Sequence, residues 1–182
     1  TSAGQVFTTP PFLSLRAMKK QFYEKVLPTQ GVYCASGIID GRVVNRFAET
    51  LDELLEITDK LEEDNFNVFV AFSTFNNYSR KADNALFTRC FCLDLDVGEG
   101  SKKYQSKDEA ILDLFNFVES QGLPPPILVD SGTGAHAYWP FEEDVPSEQW
   151  RVYADRFKTF CMKHIKIFAT EVSWQQERLL KI

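Results

Sequence analysis

Two aspartates separated by one residue lie at the end of an apolar, strand-like run of the sequence. The run FTRCFCLDLDVG covers residues 87–98 and carries Asp94 and Asp96 near its end. Strand side chains alternate between faces, so both carboxylates are expected on one face, together with Cys90 and Cys92. Two carboxylates on a buried strand need a positive partner, and Mg²⁺ is a natural one because it prefers oxygen ligands. The alternative is that both aspartates simply face water at the strand end.

A second set of residues with chemical potential lies in DSGTGAHAYWPF, residues 130–141. Gly132 and Gly134 flank one threonine and would let the backbone approach a ligand closely, as phosphate-binding turns do. His136 follows at the start of the next strand, where its imidazole could donate a hydrogen bond to a phosphate oxygen. Both features also have a structural interpretation, because tight hairpins use such turns and single histidines often have structural roles.

A third feature is the pair of adjacent cations Arg80 and Lys81, in the polar loop 76–84 just before the aspartate strand. One interpretation is that they meet a polyanion held at the metal. The other is that they are solvated loop residues, which is the usual fate of such a pair.

The remaining sequence predicts the elements that position these residues. Apolar residues at helical spacing predict helices that begin at Pro11, Leu51, Ser106 and Pro146–Ser147, and Ser106 with Glu109 predicts a capping box. The apolar faces predicted for the first, third and fourth helices are Leu15, Met18, Phe22 and Val26; Ile111, Leu114, Phe115 and Val118; and Trp150, Tyr153, Phe157 and Cys161.

The strand pattern predicts two hairpins and two further strands. Asp40–Gly41 predicts a turn between strands 31–39 and 42–47, residues 67–75 form one apolar strand, and strands 127–130 and 136–141 form the second hairpin. The order of elements predicts an α+β fold, a mostly antiparallel sheet covered by helices. A doubly wound fold is disfavoured because too many strands are joined by turns.

Composition sets broader limits. A chain of 182 residues with ordinary hydrophobic content predicts one domain over residues 11–182, with residues 1–10 as a flexible lead-in. The net charge of −6 does not indicate a surface that is basic overall, as general nucleic-acid binding favours. Local clusters of basic residues can still occur in a chain with this net charge.

The four cysteines form no C-x-x-C pair, which argues against structural zinc and favours a reducing, cytoplasmic compartment. Neither a membrane span nor a signal peptide is expected.

Taken in order, five blocks of the chain resemble the catalytic core of the archaeo-eukaryotic primase superfamily, in particular the bifunctional primase-polymerases of phages and mobile elements. The resemblance extends from about Val26 onward. The blocks are VLPTQGVYCASGIIDGR, SRKADN, FCLDLDVGEG, LVDSGTGAHAYWPF and ERLLKI. It implies an RRM-like sheet and a catalytic domain excised from a longer protein.

The resemblance also implies roles for individual residues. Asp94 and Asp96 would hold Mg²⁺ or Mn²⁺ in a two-metal site. The family has a third acid after a segment like KHIKI, where this chain instead reads Phe168-Ala169-Thr170, so Glu171 is the nearest candidate. The residues implied to bind the incoming nucleotide are Ser131, Gly132, Gly134, His136, Arg80, Lys81 and Arg178.

The implied activity is that of a DNA primase and DNA polymerase, a nucleotidyltransferase that uses nucleoside triphosphates on a single-stranded DNA template. A fused or associated helicase is a further partner that the resemblance allows, and the setting would be a bacterial host cell or a virus-encoded protein.

Two other functions stay open. A metal-dependent nuclease or phosphodiesterase of a replication-initiation protein would need paired histidines and a nucleophilic tyrosine, whereas His136 and His164 are far apart in sequence and Tyr153 is predicted to face the core. A non-catalytic, RRM-like module for single strands would stack bases on Tyr138 and Trp139, but the acidic net charge and the two aspartates disfavour it.

Overall fold

The computed structural model describes residues 14–100, 103–132, 134–166 and 179–181. The predicted lead-in, Glu171 and Arg178 lie outside the described residues. The elements are α1 Leu15–Val26, β1 Tyr33–Ile39, β2 Arg42–Ala48, α2 Leu51–Glu63, β3 Asn67–Ala71, β4 Ser73–Phe75, a 3-10 turn Ala82–Asn84, β5 Ala85–Leu95, α3 Lys107–Ser120, β6 Ile127–Asp130, β7 Ala135–Pro146, α4 Ser147–Met162 and β8 Leu179–Lys181.

The strands form two antiparallel sheets of four, in the orders β2-β1-β3-β8 and β4-β5-β7-β6. The predicted α+β class with antiparallel strands and covering helices is confirmed. The prediction of one strand over 67–75 is wrong, because the chain leaves the first sheet after Ala71 and joins the second at Ser73. The residues of β3 and of β4 are mostly buried, so the apolar pattern of the sequence does not show where the chain passes from one sheet to the other.

Local signals in the sequence are confirmed at the turns and caps. Asp40 and Gly41 have φ angles of 47° and 76°, as a two-residue hairpin turn between β1 and β2 requires. The Ser106 hydroxyl accepts from the Glu109 N–H at 3.1 Å, and the Glu109 carboxylate accepts from the Gln105 N–H at 2.8 Å. The first bond satisfies an N–H group that the start of α3 leaves without a helical partner, and the second ties the residue before the cap to the first turn.

The second sheet separates two hydrophobic cores. The first core joins α1, α2 and the first sheet to one face of the second sheet, through Cys90, Cys92 and Tyr138. The second core lies between the opposite face, α3 and α4, and contains Leu93 and Leu95. This alternation confirms the predicted two faces of the aspartate strand.

The predicted helix faces are only partly right. Leu15 and Met18 are exposed at the start of α1, where the buried residues are Tyr23 and Val26 nearer its end. Phe115 is exposed in α3, and Phe117 is buried instead. A periodic stripe shows that a helix has an apolar side but not which neighbour covers each turn of it.

Tyr153 was also predicted to be buried and is 43% exposed on α4, whereas Trp150 and Cys161 on the same helix are buried. The described helices include none that is long and apolar enough to cross a bilayer.

Candidate functional site

Asp94 lies near the end of β5, directly opposite His136 at the beginning of β7. The Nε2 atom of His136 is 3.4 Å from Oδ1 of Asp94, at the long end of hydrogen-bonding distance. Strand alternation places both side chains on the face that carries Cys92 and Tyr138. The structure therefore brings together two residues that are 42 positions apart and that the sequence singled out independently.

Both side chains are largely shielded from water, with 15% of the His136 side chain and 16% of the Asp94 side chain exposed. A carboxylate so shielded loses hydration and needs polar or cationic partners in exchange. The Nδ1 atom of His136 is 3.1 Å from the Tyr138 hydroxyl oxygen. The imidazole thus lies between a carboxylate and a phenol hydroxyl.

Asp96 lies just beyond the end of β5, and a third of its side chain is exposed. Its backbone carbonyl accepts from the Tyr104 N–H at 2.9 Å, and the Gly98 N–H donates to the Tyr104 carbonyl at 2.9 Å. These bonds fold the connection to α3 back along the strand end. They also bring Lys103 near, with Nζ 3.7 Å from the Asp96 carboxylate. Sequence analysis missed this lysine, because only the folded connection places it there.

The turn before β7 is held by its own hydrogen bonds. The Gly132 N–H donates to the Asp130 carboxylate at 2.7 Å, and the Gly134 N–H donates to the Ser131 hydroxyl at 3.0 Å. In this conformation neither N–H is available to a phosphate. A β-carbon on Gly134 would lie 2.2 Å from the Leu95 carbonyl oxygen, so close packing already explains this glycine.

Asp130 is also tied to α3, because Lys107 Nζ lies 2.7 Å from its carboxylate. The Lys107 hydrogen bond, followed by the Gly132 N–H, lowers the pKa of Asp130 below the ordinary aspartate value. This ion pair links the start of α3 to the turn, and nothing in the local sequence indicates it.

Arg80 and Lys81 lie before the beginning of β5, whereas Asp94 lies near its end. The ten residues from Ala85 to Asp94 span about 30 Å of extended strand. At the beginning of the strand, Arg151 of α4 donates to the Ala82 carbonyl at 3.1 Å. The structure therefore does not bring the two cations to Asp94.

Among the residues that the structure describes, the histidines and the aromatic rings considered for the two alternative functions do not come together as those functions would need. His164 packs against the rings of Phe117 and Phe160, on the opposite side of the second sheet from His136. Tyr138 and Trp139, the candidates for base stacking, are buried, and the Trp139 indole N–H donates to the Pro124 carbonyl at 2.8 Å. Stacking on a nucleobase needs an accessible ring face.

Asp94 and Asp96 are the described residues best suited to hold a metal. Carboxylate oxygens are the ligands that Mg²⁺ and Mn²⁺ prefer, so the two residues fit such ions in donor chemistry. The described parts of the chain contain no cluster of three or more His, Cys, Asp or Glu arranged for a metal. Any third acid, including Glu171, would have to come from outside them.

Comparison with known proteins bears on the fold. No protein-family model matches the chain, and no curated protein matches it. The AEP domain of the cyanophage S-2L primase-polymerase (PrimPol) is similar in structure, with a TM-score of 0.55 and 14% sequence identity, over 84% of this chain and 72% of that one. At this identity the likeness shows the fold alone. The chain therefore has the α+β fold of a primase-polymerase AEP domain.

Proposed function

We propose that this chain is the catalytic domain of a metal-dependent primase-polymerase, which joins nucleotides on a single-stranded DNA template. The observation that carries the proposal is the cross-strand pair of Asp94 and His136, with Asp96 two residues further on. The pair occurs in a chain that shares the fold of a primase-polymerase domain. Together the pair and the fold favour nucleotidyl transfer.

In this proposal the carboxylates of Asp94 and Asp96 would hold two Mg²⁺ or Mn²⁺ ions, with Glu171 as the proposed third ligand. When bound, such ions neutralise phosphate charge and favour the ionised form of an attacking hydroxyl. Lys103 Nζ, 3.7 Å from Asp96, offsets part of the carboxylate charge in the ligand-free protein.

The reaction joins the 3′-hydroxyl of one nucleotide to the α-phosphorus of the next. The bond from that phosphorus to the bridging oxygen of the β-phosphate breaks, pyrophosphate leaves, and the hydroxyl proton passes to solvent. The protein's task is to position charged groups and neutralise their charge. The His136 imidazole N–H is the proposed donor to a phosphate oxygen, and its shielded position strengthens such a bond.

The turn at Ser131–Gly134 contributes in a different way from that expected. Its glycine N–H groups are bonded within the turn, so we assign it the role of holding the start of β7, and with it His136, against the end of β5. Direct contacts of Ser131, Gly132 and Gly134 with the nucleotide would require these internal bonds to open. Arg178 stays a predicted nucleotide contact.

The experiment is synthesis on single-stranded DNA with labelled nucleotides, with and without a primer, in Mg²⁺ or Mn²⁺. The wild type is compared with Asp94→Asn/Asp96→Asn, and with Asp108→Asn/Asp155→Asn as a control. Both control aspartates are exposed, and the control changes net charge equally. We expect metal-dependent products from the wild type and the control, and a loss of at least a hundredfold in the site variant.

Two outcomes would contradict the proposal. One is no product from folded wild type with a primer supplied. The other is equal synthesis by the site variant and the control. Shortening of the labelled DNA without synthesis would instead favour the nuclease alternative.

A further inference from the structure

We infer that the Tyr138 hydroxyl is a positioning group that orients the His136 imidazole, so that its Nε2–H faces the carboxylate end of the site. The inference rests on the proposed function for its catalytic consequence, but the hydrogen bond itself can be tested without activity. The sequence made Tyr138 a candidate only for base stacking, and its burial excludes that use.

The geometry places the ring between two oxygens on opposite sides. Nδ1 is 3.1 Å from the Tyr138 hydroxyl, and Nε2 is 3.4 Å from Asp94. Residues two apart on a strand share a face, so Tyr138 is the neighbour of His136 along β7 while Asp94 is its neighbour across to β5. The two contacts together restrict rotation of the imidazole about its bond to the β-carbon.

The Tyr138 ring is itself rigidly held. It has no exposed surface, and it packs edge-on against Phe22, with ring centroids 5.1 Å apart, and in a tilted contact with Phe72 at 5.7 Å. Its hydroxyl is therefore a fixed point within the first core. A group that orients another must be less mobile than the group it orients, and Tyr138 meets this condition.

Hydrogen-bond chemistry then assigns the roles. Burial, and next the neighbouring Cys92, raise the pKa of Tyr138 above the ordinary tyrosine value, so its hydroxyl keeps its proton. A neutral imidazole has one N–H and one unprotonated nitrogen. A carboxylate oxygen accepts hydrogen bonds, so the nitrogen that faces Asp94, Nε2, carries the proton in the favoured tautomer, and Nδ1 is left to accept from the Tyr138 hydroxyl.

The competing explanation is that Tyr138 is only a core residue. Tyr138→Phe separates the two, because phenylalanine keeps the ring contacts and removes the oxygen. Tyr33→Phe is the matched control: Tyr33 is also buried in the first core, and its hydroxyl donates to the Pro28 carbonyl at 2.7 Å, not to a site residue.

The first test is ¹⁵N NMR of histidine-labelled protein, without metal or nucleotide. The chain has two histidines, so the His164 signals serve as an internal reference. At a pH high enough that the spectra no longer change, we expect protonated Nε2 and a hydrogen-bonded, unprotonated Nδ1 for His136. In Tyr138→Phe the Nδ1 resonance should move to that of a free imidazole nitrogen, whereas Tyr33→Phe should match the wild type. A protonated Nδ1 in the wild type, or the same Nδ1 resonance in both proteins, overturns the inference.

The second test is steady-state nucleotide incorporation. Removal of one orienting hydrogen bond is expected to lower kcat/KM about three- to tenfold. We expect this for Tyr138→Phe, with unchanged KM for the template, and less than twofold for Tyr33→Phe. Equal losses in both variants would mean that the hydroxyl acts only through stability and would overturn the inference. If wild type makes no product while the NMR result holds, the proposed function fails and the orientation of His136 by Tyr138 stands.

Discussion

Gly134 approaches the end of β5 so closely that a β-carbon on it would lie 2.2 Å from the Leu95 carbonyl oxygen. Leu95 stands between Asp94 and Asp96, and Gly134 is two residues before His136. There is therefore no room for a side chain at residue 134 between the strand that carries the carboxylates and the strand that carries the histidine. It is a place where one methyl group is expected to affect the whole site.

Gly134→Ala should separate the two strand ends. Relief of the overlap requires a backbone shift, and overpacking of this kind costs about 1–3 kcal/mol. We expect that loss in urea unfolding, together with at least a tenfold fall in nucleotide incorporation. Gly122→Ala is the comparison, because Gly122 lies outside the site, its added carbon meets no atom within 4 Å, and the cost is limited to strain at φ +63°. Similar loss of activity in the two variants would contradict a special role for the Gly134 contact.

A buried carboxylate far from the candidate site should be critical for stability. The Asp144 side chain is 5% exposed, and it accepts from both the N–H and the hydroxyl of Thr29, at 2.8 and 2.9 Å, and from the Gln30 N–H at 3.2 Å. Asp144→Asn would turn an amide toward these donors, which is expected to cost about 2–4 kcal/mol in urea unfolding. Asp155→Asn, at an exposed position, should change stability far less.

The four cysteines are expected to be protected thiols. All are free and buried, and burial raises the pKa of Cys34 to about 11 and of Cys161 to about 12. Because the thiolate is the nucleophile, we expect alkylation by iodoacetamide at neutral pH to follow unfolding. Fast labelling of native protein would contradict this.

The same shifts predict a pH dependence of stability. A thiol whose pKa is higher in the folded chain stabilises the folded state at pH values below its unfolded pKa, near 9. That contribution is lost as pH rises toward 11–12. The free energy of unfolding should fall by up to about 1.4 kcal/mol per pH unit for each thiol. In Cys34→Ala the free energy of unfolding should fall less steeply with pH, by the contribution of one thiol, up to about 1.4 kcal/mol per pH unit. An unchanged slope would contradict the assignment.

The position of Arg80 and Lys81 predicts which substrate they affect. They lie at the opposite end of β5 from Asp94, so Arg80→Ala/Lys81→Ala should leave the KM for nucleotide within about twofold. We expect a weaker and less salt-dependent affinity for DNA instead, because backbone phosphate contacts dominate the salt dependence. A selective rise in the nucleotide KM would show that the cations reach the nucleotide after all.

Metal binding has a readout that does not depend on activity. Ligands that bind only the folded state raise its stability, by about 1.4 kcal/mol at roughly ten times Kd. Mn²⁺ should therefore raise the Tm of wild type, EDTA should reverse the rise, and Asp94→Asn/Asp96→Asn should abolish it. An equal rise in this variant and in Asp108→Asn/Asp155→Asn would place the ion elsewhere.

The sequence alone predicted the features that depend on neighbouring residues. The Asp40–Gly41 turn, the Ser106 cap and the two faces of β5 are all confirmed, because caps, turns and alternation are decided within a few residues. Patterning also predicted the α+β class. The sequence also singled out Asp94 and His136 separately as candidate site residues, since each stands in a distinctive local motif.

Contacts between distant residues were decided only by the tertiary structure. The switch of the chain between sheets at Phe72, the exposure of Tyr153, and the pairing of Asp94 with His136 all depend on which element packs against which. The contacts of Tyr138 with His136 and of Lys103 with Asp96 were not predicted for the same reason. The type of a residue indicates what chemistry its side chain can do, but not which residues it contacts. Those contacts depend on the free energy of the whole packed chain.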